Sequence, residues 1–479
     1  MHNARARLPG FWLGSVLLKG RQLSGQETRK RSGLRAFEQR LAGQLKARRG
    51  VERRPRRAVD LVVLVNGFPR LSETFVLQEM LDFERRGLRL HVVALRRPEE
   101  TVQQQALRDL RASVEYLSDG TPLSQRLAAR TAHAALLFHR GAAYLDGLAD
   151  VLRAPDFSRP ALGGAALLAH KVLRLGSPPL YVHFAHKPGT YGRFAASLAG
   201  VPYALSAHAK DIWITPPDEL RAKARDAAAV LTCTEEGLTY LQELVGGTTA
   251  VHRVYHGVEL PRTLPTTEQS DGHVVLAVAR LVEKKGLATL IRAAALLQLR
   301  GVDFRVRIAG EGPEWARLQR LAHELAVADR VVFLGPLTED EVWAEYRRAS
   351  VFALPCEVLP NGDRDGLPNV IVEAMARGLP VVSTTLAGVR EAVAHGESGL
   401  LVAPGDAAGL AVALERLLTD PELRAELGAG ARRCVADRFE RATNLPAVHA
   451  ALVGAGLIPN ETARARAAPD VRAKQLTAA

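Results

Sequence analysis

Apolar residues fall in short blocks along this chain, and the period of the blocks predicts its elements. From Asp60, Leu61–Val65 is a run of Val and Leu ended by Asn66-Gly67, which reads as a strand buried on both faces and a tight turn. Helical spacing follows over Thr74–Arg86, then a second strand over Leu90–Leu95. Residues 103–175 are rich in Ala, Leu and Arg at helical spacing, and Tyr181–Phe184, Tyr203–His208 and Val230–Thr234 return to the strand pattern. Strand and helix alternate, which predicts an open α/β domain.

Leu260–Gly272 interrupts the pattern with a polar stretch rich in Pro and Thr. The alternation then restarts. Strands are predicted over Val274–Ala279, Phe304–Ala309, Val331–Leu334, Val351–Pro355 and Val381–Thr384. Helices are predicted over Leu287–Arg300, Glu314–Leu325, Glu339–Ala349 and Pro368–Arg377. The organisation is therefore a basic N-terminal extension (1–57), a first Rossmann-like domain (58–260), a linker (261–272), a second Rossmann-like domain (273–435), and a C-terminal helix and tail (436–479), the last 25 residues reading as a frayed end. Two doubly wound domains in series imply a central cleft. Ligands of such sheets bind outside the carboxyl ends of the strands.

Composition narrows the class. With 479 residues, 47% hydrophobic and 24% charged, the chain has ordinary globular composition. Its uninterrupted apolar stretches, such as Ala161–Ala169, fall short of the ~20 residues of a membrane helix. Cys233, Cys356 and Cys434 are too far apart for a disulfide scaffold or a Cys-rich zinc site, and they suit a reducing compartment. Phe11–Leu18 is apolar but lacks a small-residue cleavage site, so no signal peptide is expected and a cytoplasmic location is.

Charge changes the picture more. Of 64 Lys and Arg and 51 Asp and Glu, sixteen and three lie in residues 1–57, leaving 48 of each sign from residue 58 on. A neutral body thus carries a basic arm, densest at Arg29-Lys30-Arg31 and Arg53–Arg57. Anionic lipid suits such an arm, at about 1 kcal/mol per basic residue near the surface. No aromatic residues interleave its arginines, so no nucleic-acid partner is expected. A solvated extension, or a start placed too early, gives the same composition.

The candidate chemistry lies at predicted strand ends. Arg280 ends a strand and Lys285 precedes Gly286 at the opening of a helix: two cations beside a helix N-terminus suit a diphosphate, although a solvated basic loop containing Glu283 and Lys284 reads the same. Between Cys356 and Gly378, a polar loop leads to Pro368, placed as the first helical residue. Glu373 is the sole polar residue in Val370–Ala376, a costly position unless the carboxylate is paired or binds a ligand. Asp365 and Glu373 could hold hydroxyls at two places on one ligand, with the amides of Gly366 and Leu367 between them; a capped helix with a satisfied Glu373 is the alternative. In the first domain, Asn66–Phe75 follows the first strand, and His208 ends another with Asp211 three residues on, a cleft contact or a structural histidine. Three patterns are set aside. Gly310-Glu311-Gly312 lacks the third glycine of a dinucleotide fingerprint. His183 and His186 have no third ligand in view. Asn361, Asp363 and Asp365 open like a calcium loop, but Val372 stands where the closing Glu belongs. No metal is expected.

These residues together resemble a retaining glycosyltransferase of family 4 with the GT-B fold, roughly over 274–445. The resemblance rests on Ala279–Gly286, Ala309-Gly310-Glu311-Gly312-Pro313, Phe333-Leu334-Gly335, Gly366-Leu367-Pro368 leading to Glu373-Ala374-Met375-Ala376, Gly388-Val389-Arg390-Glu391 and Gly396–Val402. Phe68–Phe75 and Ser206–Trp213 resemble bacterial exopolysaccharide enzymes of the colanic acid type. The resemblance implies that Arg280 and Lys285 hold the diphosphate of a UDP- or GDP-linked sugar and that Glu373 holds its ribose. Asp365, Gly366 and Leu367 would meet the donor sugar, with Asp365 standing where the family's motif begins with Glu. His208 would lie near the transferring sugar and Gly67 where donor or acceptor approaches the backbone. It further implies a glycan or lipid-linked oligosaccharide acceptor, no cofactor, and action at the cytoplasmic membrane face, with residues 1–57 as peripheral contact. A nucleotide-sugar epimerase or hydrolase on the same fold, and a non-catalytic nucleotide-sugar-binding protein, are the competing readings.

Overall fold

A computed structural model describes residues 59–70, 73–98, 104–117, 121–261 and 273–460. The basic extension, nearly all of the linker and the last 19 residues of the tail lie outside the described residues. Ala58 onward forms one compact unit holding both sheets.

The first sheet has seven parallel strands: β1 (Leu61–Gly67), β2 (Leu90–Arg96), β3 (Ser113–Tyr116), β4 (Leu180–His183), β5 (Tyr203–Ala207), β6 (Ala229–Thr232) and β7 (Val251–Arg253), in the order β3-β2-β1-β4-β5-β6-β7. Eight helices accompany it: α1 (Thr74–Arg85), α2 (Pro122–Arg140), α3 (Ala142–Leu152), α4 (Arg159–Arg174), α5 (Lys187–Ala199), α6 (Ala209–Ile214), α7 (Pro217–Arg225) and α8 (Glu235–Val245). Strand β1 shows why the apolar run was continuous. Val62 and Leu64 enter the core shared with α2–α5, while Leu61, Val63 and Val65 enter the opposite one with α1, as alternating side chains of a strand covered on both faces must. The expected helical stretch 103–175 resolves into three helices and strand β3, with Gly141 at φ +55° separating α2 from α3.

The second sheet is also parallel, with β8 (Val274–Val278), β9 (Arg305–Ala309), β10 (Val331–Gly335), β11 (Val351–Leu354), β12 (Val381–Thr384) and β13 (Gly399–Val402) in the order β10-β9-β8-β11-β12-β13. It has six strands rather than the five expected. Its helices are α9 (Leu287–Leu299), α10 (Trp315–Glu324), α11 (Glu339–Arg348), α12 (Asn369–Ala376), α13 (Ala387–Arg390), α14 (Ala407–Thr419) and α15 (Pro421–Arg438). Residue 435 is therefore inside a helix rather than at a boundary. Pro368 is extended (φ −65°, ψ 121°) and caps α12 instead of opening it.

The chain then returns to the first domain. Val258 and Glu440 form a parallel bridge, and the final helix α16 (Arg441–Gly454) places Val448, Ala451 and Leu452, with Leu457 and Ile458 beyond it, in the core of β1 and α1. The C-terminal helix expected from the sequence thus packs as a strap on the first domain.

Candidate active site

Both sheets point the carboxyl ends of their central strands at one cleft of about 1240 Å³. Its walls include Arg280, Lys284, Lys285, Asp365, Gly366, Leu367 and Glu373 from the second domain, and His208, His256, Phe75 and Phe184 from the first. Of the residues singled out from sequence, all but Gly67 line it. Gly67 closes β1 with its Cα toward Arg96, and the neighbouring Asn66 faces the cleft instead.

On the second domain, the loop after β8 meets the loop after β11. Lys285 Nζ lies 2.7 Å from Asp365 Oδ2; Lys284 Nζ lies 2.9 Å from Asp363 Oδ1 and 3.4 Å from Asp365 Oδ1. Burial alone would lower the Lys285 ammonium, but the Asp365 carboxylate beside it outweighs this and raises it. Burial would likewise raise the Asp365 carboxyl, and the two lysines together hold it below its ordinary value. The shifts agree in sign: both groups are charged. Arg280 is exposed at the mouth of the same group and has no side-chain partner among the described residues. Lys284, which the alternative reading placed in a solvated loop, is buried, at 5% exposure. A buried lysine announces itself only through its partners, and these lie 79 and 81 positions away.

Gly286 makes that loop contact feasible. It sits at φ +65°, and a Cβ there would lie 1.8 Å from the Pro355 carbonyl oxygen. Side chains are disfavoured by the backbone angle and excluded by the approach. The Glu357 amide donates to the Lys284 carbonyl at 2.8 Å, and the Thr289 hydroxyl to Glu357 Oε1 at 2.6 Å, closing the clamp between the two loops.

Glu373 is on α12, where Tyr346 Oη donates to its Oε2 at 3.3 Å and Arg377 donates to its carbonyl at 2.7 Å. Burial raises its carboxyl, with Arg377 and the Tyr346 hydrogen bond opposing. Glu373 lines the cleft.

On the first domain, four residues make a relay across the domain junction. Asn369 Oδ1 can only accept, so the 3.1 Å contact makes His256 Nδ1 the donor. His256 Nε2 then accepts, and His208 Nδ1 donates to it across 3.3 Å; His208 Nε2 accepts from Ser206 Oγ at 3.1 Å. Phe75 stacks flat on His256, centroids 3.8 Å apart and 2° from parallel. Burial, with His256 and His183 adding like charge, holds the His208 imidazole well below its usual value, and burial pushes His256 down to about 4. Both rings are neutral near pH 7. His256 escaped the sequence reading because its partners are 48 and 113 residues away.

Asp211 does not face the ligand space as a free carboxylate. Its Oδ2 accepts from the Ala185 amide at 2.5 Å and the His208 amide at 3.2 Å, which fixes the loops after β4 and β5 together. Burial raises its carboxyl to about 7, against those two amides. Phe184 beside it is held at φ +77°, a strained angle for an aromatic residue, and presents its ring edge to His208 at 5.2 Å.

His208, Cys233 and His256 also bring one potential metal-ligand atom each within 4.8 Å of one another. The ring nitrogens are engaged in the relay, and burial pushes the Cys233 thiol up to about 12, against the thiolate a metal needs. His183 and His186 belong to no such group among the described residues. His183 is fully buried with its Nε2 3.7 Å from Glu79 Oε2.

Two parallel Rossmann-like sheets with a site on facing strand ends define a GT-B glycosyltransferase architecture. The family of "Glycosyl transferases group 1" matches residues 265–433. WcaL of Salmonella typhimurium, named as a colanic acid biosynthesis glycosyltransferase, is 30% identical over 364 residues, 72% of this chain and 87% of that protein. The GDP-mannose-dependent alpha-(1-6)-phosphatidylinositol monomannoside mannosyltransferase of Mycolicibacterium smegmatis is 33% identical over 232 residues, 46% of this chain and 61% of that protein. Among solved structures, Anabaena Alr3699/HepE in complex with UDP-glucose superposes with a TM-score of 0.63 at 19% identity, covering 82% of this chain and 99% of that one. The chain belongs to the group 1 glycosyltransferases and resembles their colanic-acid-type members.

Proposed function

We propose that this protein is a retaining glycosyltransferase that moves a sugar from a UDP- or GDP-linked donor to a lipid-linked glycan acceptor during exopolysaccharide assembly, peripherally at the cytoplasmic membrane face. The observation that carries the reading is the cluster of Arg280, Lys285, Asp365 and Glu373 on one wall of the cleft, opposite His208. Arg280, without a partner, and Lys285 receive the diphosphate; Glu373 takes the ribose hydroxyls. Asp365, with the Gly366 and Leu367 amides, holds the donor sugar, and the neutral His208 contacts it from the other side. The names of the relatives support sugar transfer in surface-polysaccharide assembly, and no described helix is long and apolar enough to cross a membrane.

In this reading the bond from the anomeric carbon to the diphosphate breaks as the bond to the acceptor oxygen forms on the same face. The acceptor proton passes to the departing phosphate oxygen. Arg280 and Lys285 stabilise the charge that grows there, an electrostatic contribution that needs no metal in the scheme. Contacts across the domain junction tie the two domains together beside the cleft: Arg364 to Glu236 at 2.8 Å, and Glu391 accepting from the Glu235 amide and the Tyr255 hydroxyl, each at 2.8 Å.

The test is a thermal-shift panel of UDP, GDP, ADP and their sugar conjugates on the wild type and Arg280→Ala. A ligand at 100 times its Kd stabilises by about 2.7 kcal/mol. A shift with one nucleotide and its sugar, lost in the variant, is expected. No shift with any of them refutes the donor site.

A further inference from the structure

Among the described residues, four of the eleven large apolar side chains left in solvent lie on the single helix α2 (Pro122–Arg140). Phe138 is 86% exposed, Leu123 77%, Leu127 61% and Leu137 44%. At 100° per residue these four and the exposed Ala134 fall on one side of the helix, a stripe about four turns long. The opposite side, with Ala132 and Leu136, is buried in the domain core. The helix thus has apolar residues on both faces, which a helix with only water outside it has no reason to carry.

The charge on the outer face is one-sided. Arg126 and Arg130 are exposed among the apolar residues, and Pro122–Arg140 contains no Asp or Glu. The next helix, α3, also exposes Leu145 and Leu152, but Asp146 and Asp150 stand among them. That contrast confines the surface to α2 and names its complement. An apolar stripe flanked by arginines suits an anionic lipid interface, where the side chains enter the headgroup boundary and the guanidinium groups meet phosphate. The arm at residues 1–57 has the same sign of charge and so is no electrostatic complement to this face.

We infer that the outer face of α2, through Leu123, Leu127, Leu137 and Phe138 with Arg126 and Arg130, is a docking surface for an anionic membrane. This surface lies outside the cleft and does not depend on which donor or acceptor the cleft takes.

The experiment is vesicle co-flotation of the full-length chain, with vesicles of about 30% phosphatidylglycerol in phosphatidylcholine against phosphatidylcholine alone. Leu127→Glu/Phe138→Glu is expected to lower binding to the anionic vesicles by at least about tenfold. Arg126→Gln/Arg130→Gln should lower it by about fivefold per arginine and leave weak binding to neutral vesicles unchanged. All four side chains are exposed, so the variants should keep the wild-type melting temperature and nucleotide-induced shift. A cleft that binds no nucleotide would leave the flotation result intact, so the two readings fail separately. Undiminished vesicle binding by both variants overturns the inference and leaves residues 1–57 as the membrane contact. Wild-type oligomers that Leu127→Glu/Phe138→Glu converts to monomers, with vesicle binding unchanged, overturn it too and make the face a contact between copies.

Discussion

Replacing Asp365 with Asn tests the electrostatics of the proposed donor wall. The carboxylate is 13% exposed and neutralises Lys285, which is 10% exposed, from 2.7 Å, while Lys284 at 3.4 Å retains Asp363. Removing one member of a fully buried pair costs about 3–5 kcal/mol, because the remaining charge has lost its partner but not its burial. This pair borders a cleft that water can reach, so the lower end applies, about 3 kcal/mol. For a domain of this size that corresponds to a fall of roughly 8 °C in melting temperature. The unpaired Lys285 ammonium then becomes a stronger anion site, since a diphosphate no longer competes with Asp365 for it. The stabilisation by UDP or GDP should therefore be larger in the variant than in the wild type at equal ligand concentration, while sugar transfer is lost. The assay is paired melting curves with and without nucleotide, beside a transfer assay. An Asp365→Asn protein that melts with the wild type, or responds less to nucleoside diphosphate, would show that Lys285 does not depend on this carboxylate and is not the diphosphate ligand.

Three further outcomes are expected. Glu373→Gln keeps the acceptor for Tyr346 and should melt within about 1 kcal/mol of the wild type, but loss of a charge-assisted bond of about 1.5–3 kcal/mol should weaken nucleotide binding by roughly 10- to 150-fold; unchanged affinity by calorimetry would remove Glu373 from the ribose site. Burial raises Glu79 from 4.5 to about 8, opposed by the Tyr181 hydroxyl, so the native state holds a proton that the unfolded chain releases. The stabilisation from this group is complete below pH 4.5 and is lost as pH rises to about 8, about 2 kcal/mol of it between pH 6 and 8. Glu79→Gln should flatten the melting-temperature profile over that interval, and parallel profiles for the two proteins contradict a buried neutral Glu79. Gly286→Ala must displace the Pro355 carbonyl and take a left-handed angle, so it should cost at least about 2 kcal/mol and abolish the nucleotide shift, whereas Gly301→Ala, also at positive φ but in open space, should keep the shift.

The central strands were legible because they are buried on both faces and leave no room for polar residues: β12 was read to its exact ends and β1 to within two residues. The three that were missed, Ser113–Tyr116, Val251–Arg253 and Gly399–Val402, are β3, β7 and β13, three of the four edge strands; the fourth, β10, keeps an apolar run and was read. An edge strand pairs on one side and need not be apolar; Ser113–Tyr116 alternates exposed and half-buried positions and contains Glu115. The site divides along the same physical line. Arg280, Lys285, Asp365 and Glu373 could be singled out as cleft-lining candidates because local position exposes their chemistry: a strand end, a helix start, a lone carboxylate on an apolar helix. Lys284, His256 and Asn369 could not, because each acquires its role from residues far along the chain. The last helix makes the point for the fold as a whole. Arg441–Gly454 has an apolar side, as any packed helix does, but nothing in its pattern says which domain that side covers. It covers the first, so the chain returns across the domain junction at Val258–Glu440, where Arg438 donates to the Tyr255 hydroxyl and the Glu391 carbonyl. Closure of the two domains is therefore bounded by this crossing of the chain and by the contacts of Glu391 beside it. A change in that corner should alter cleft geometry without touching a residue of the proposed donor site.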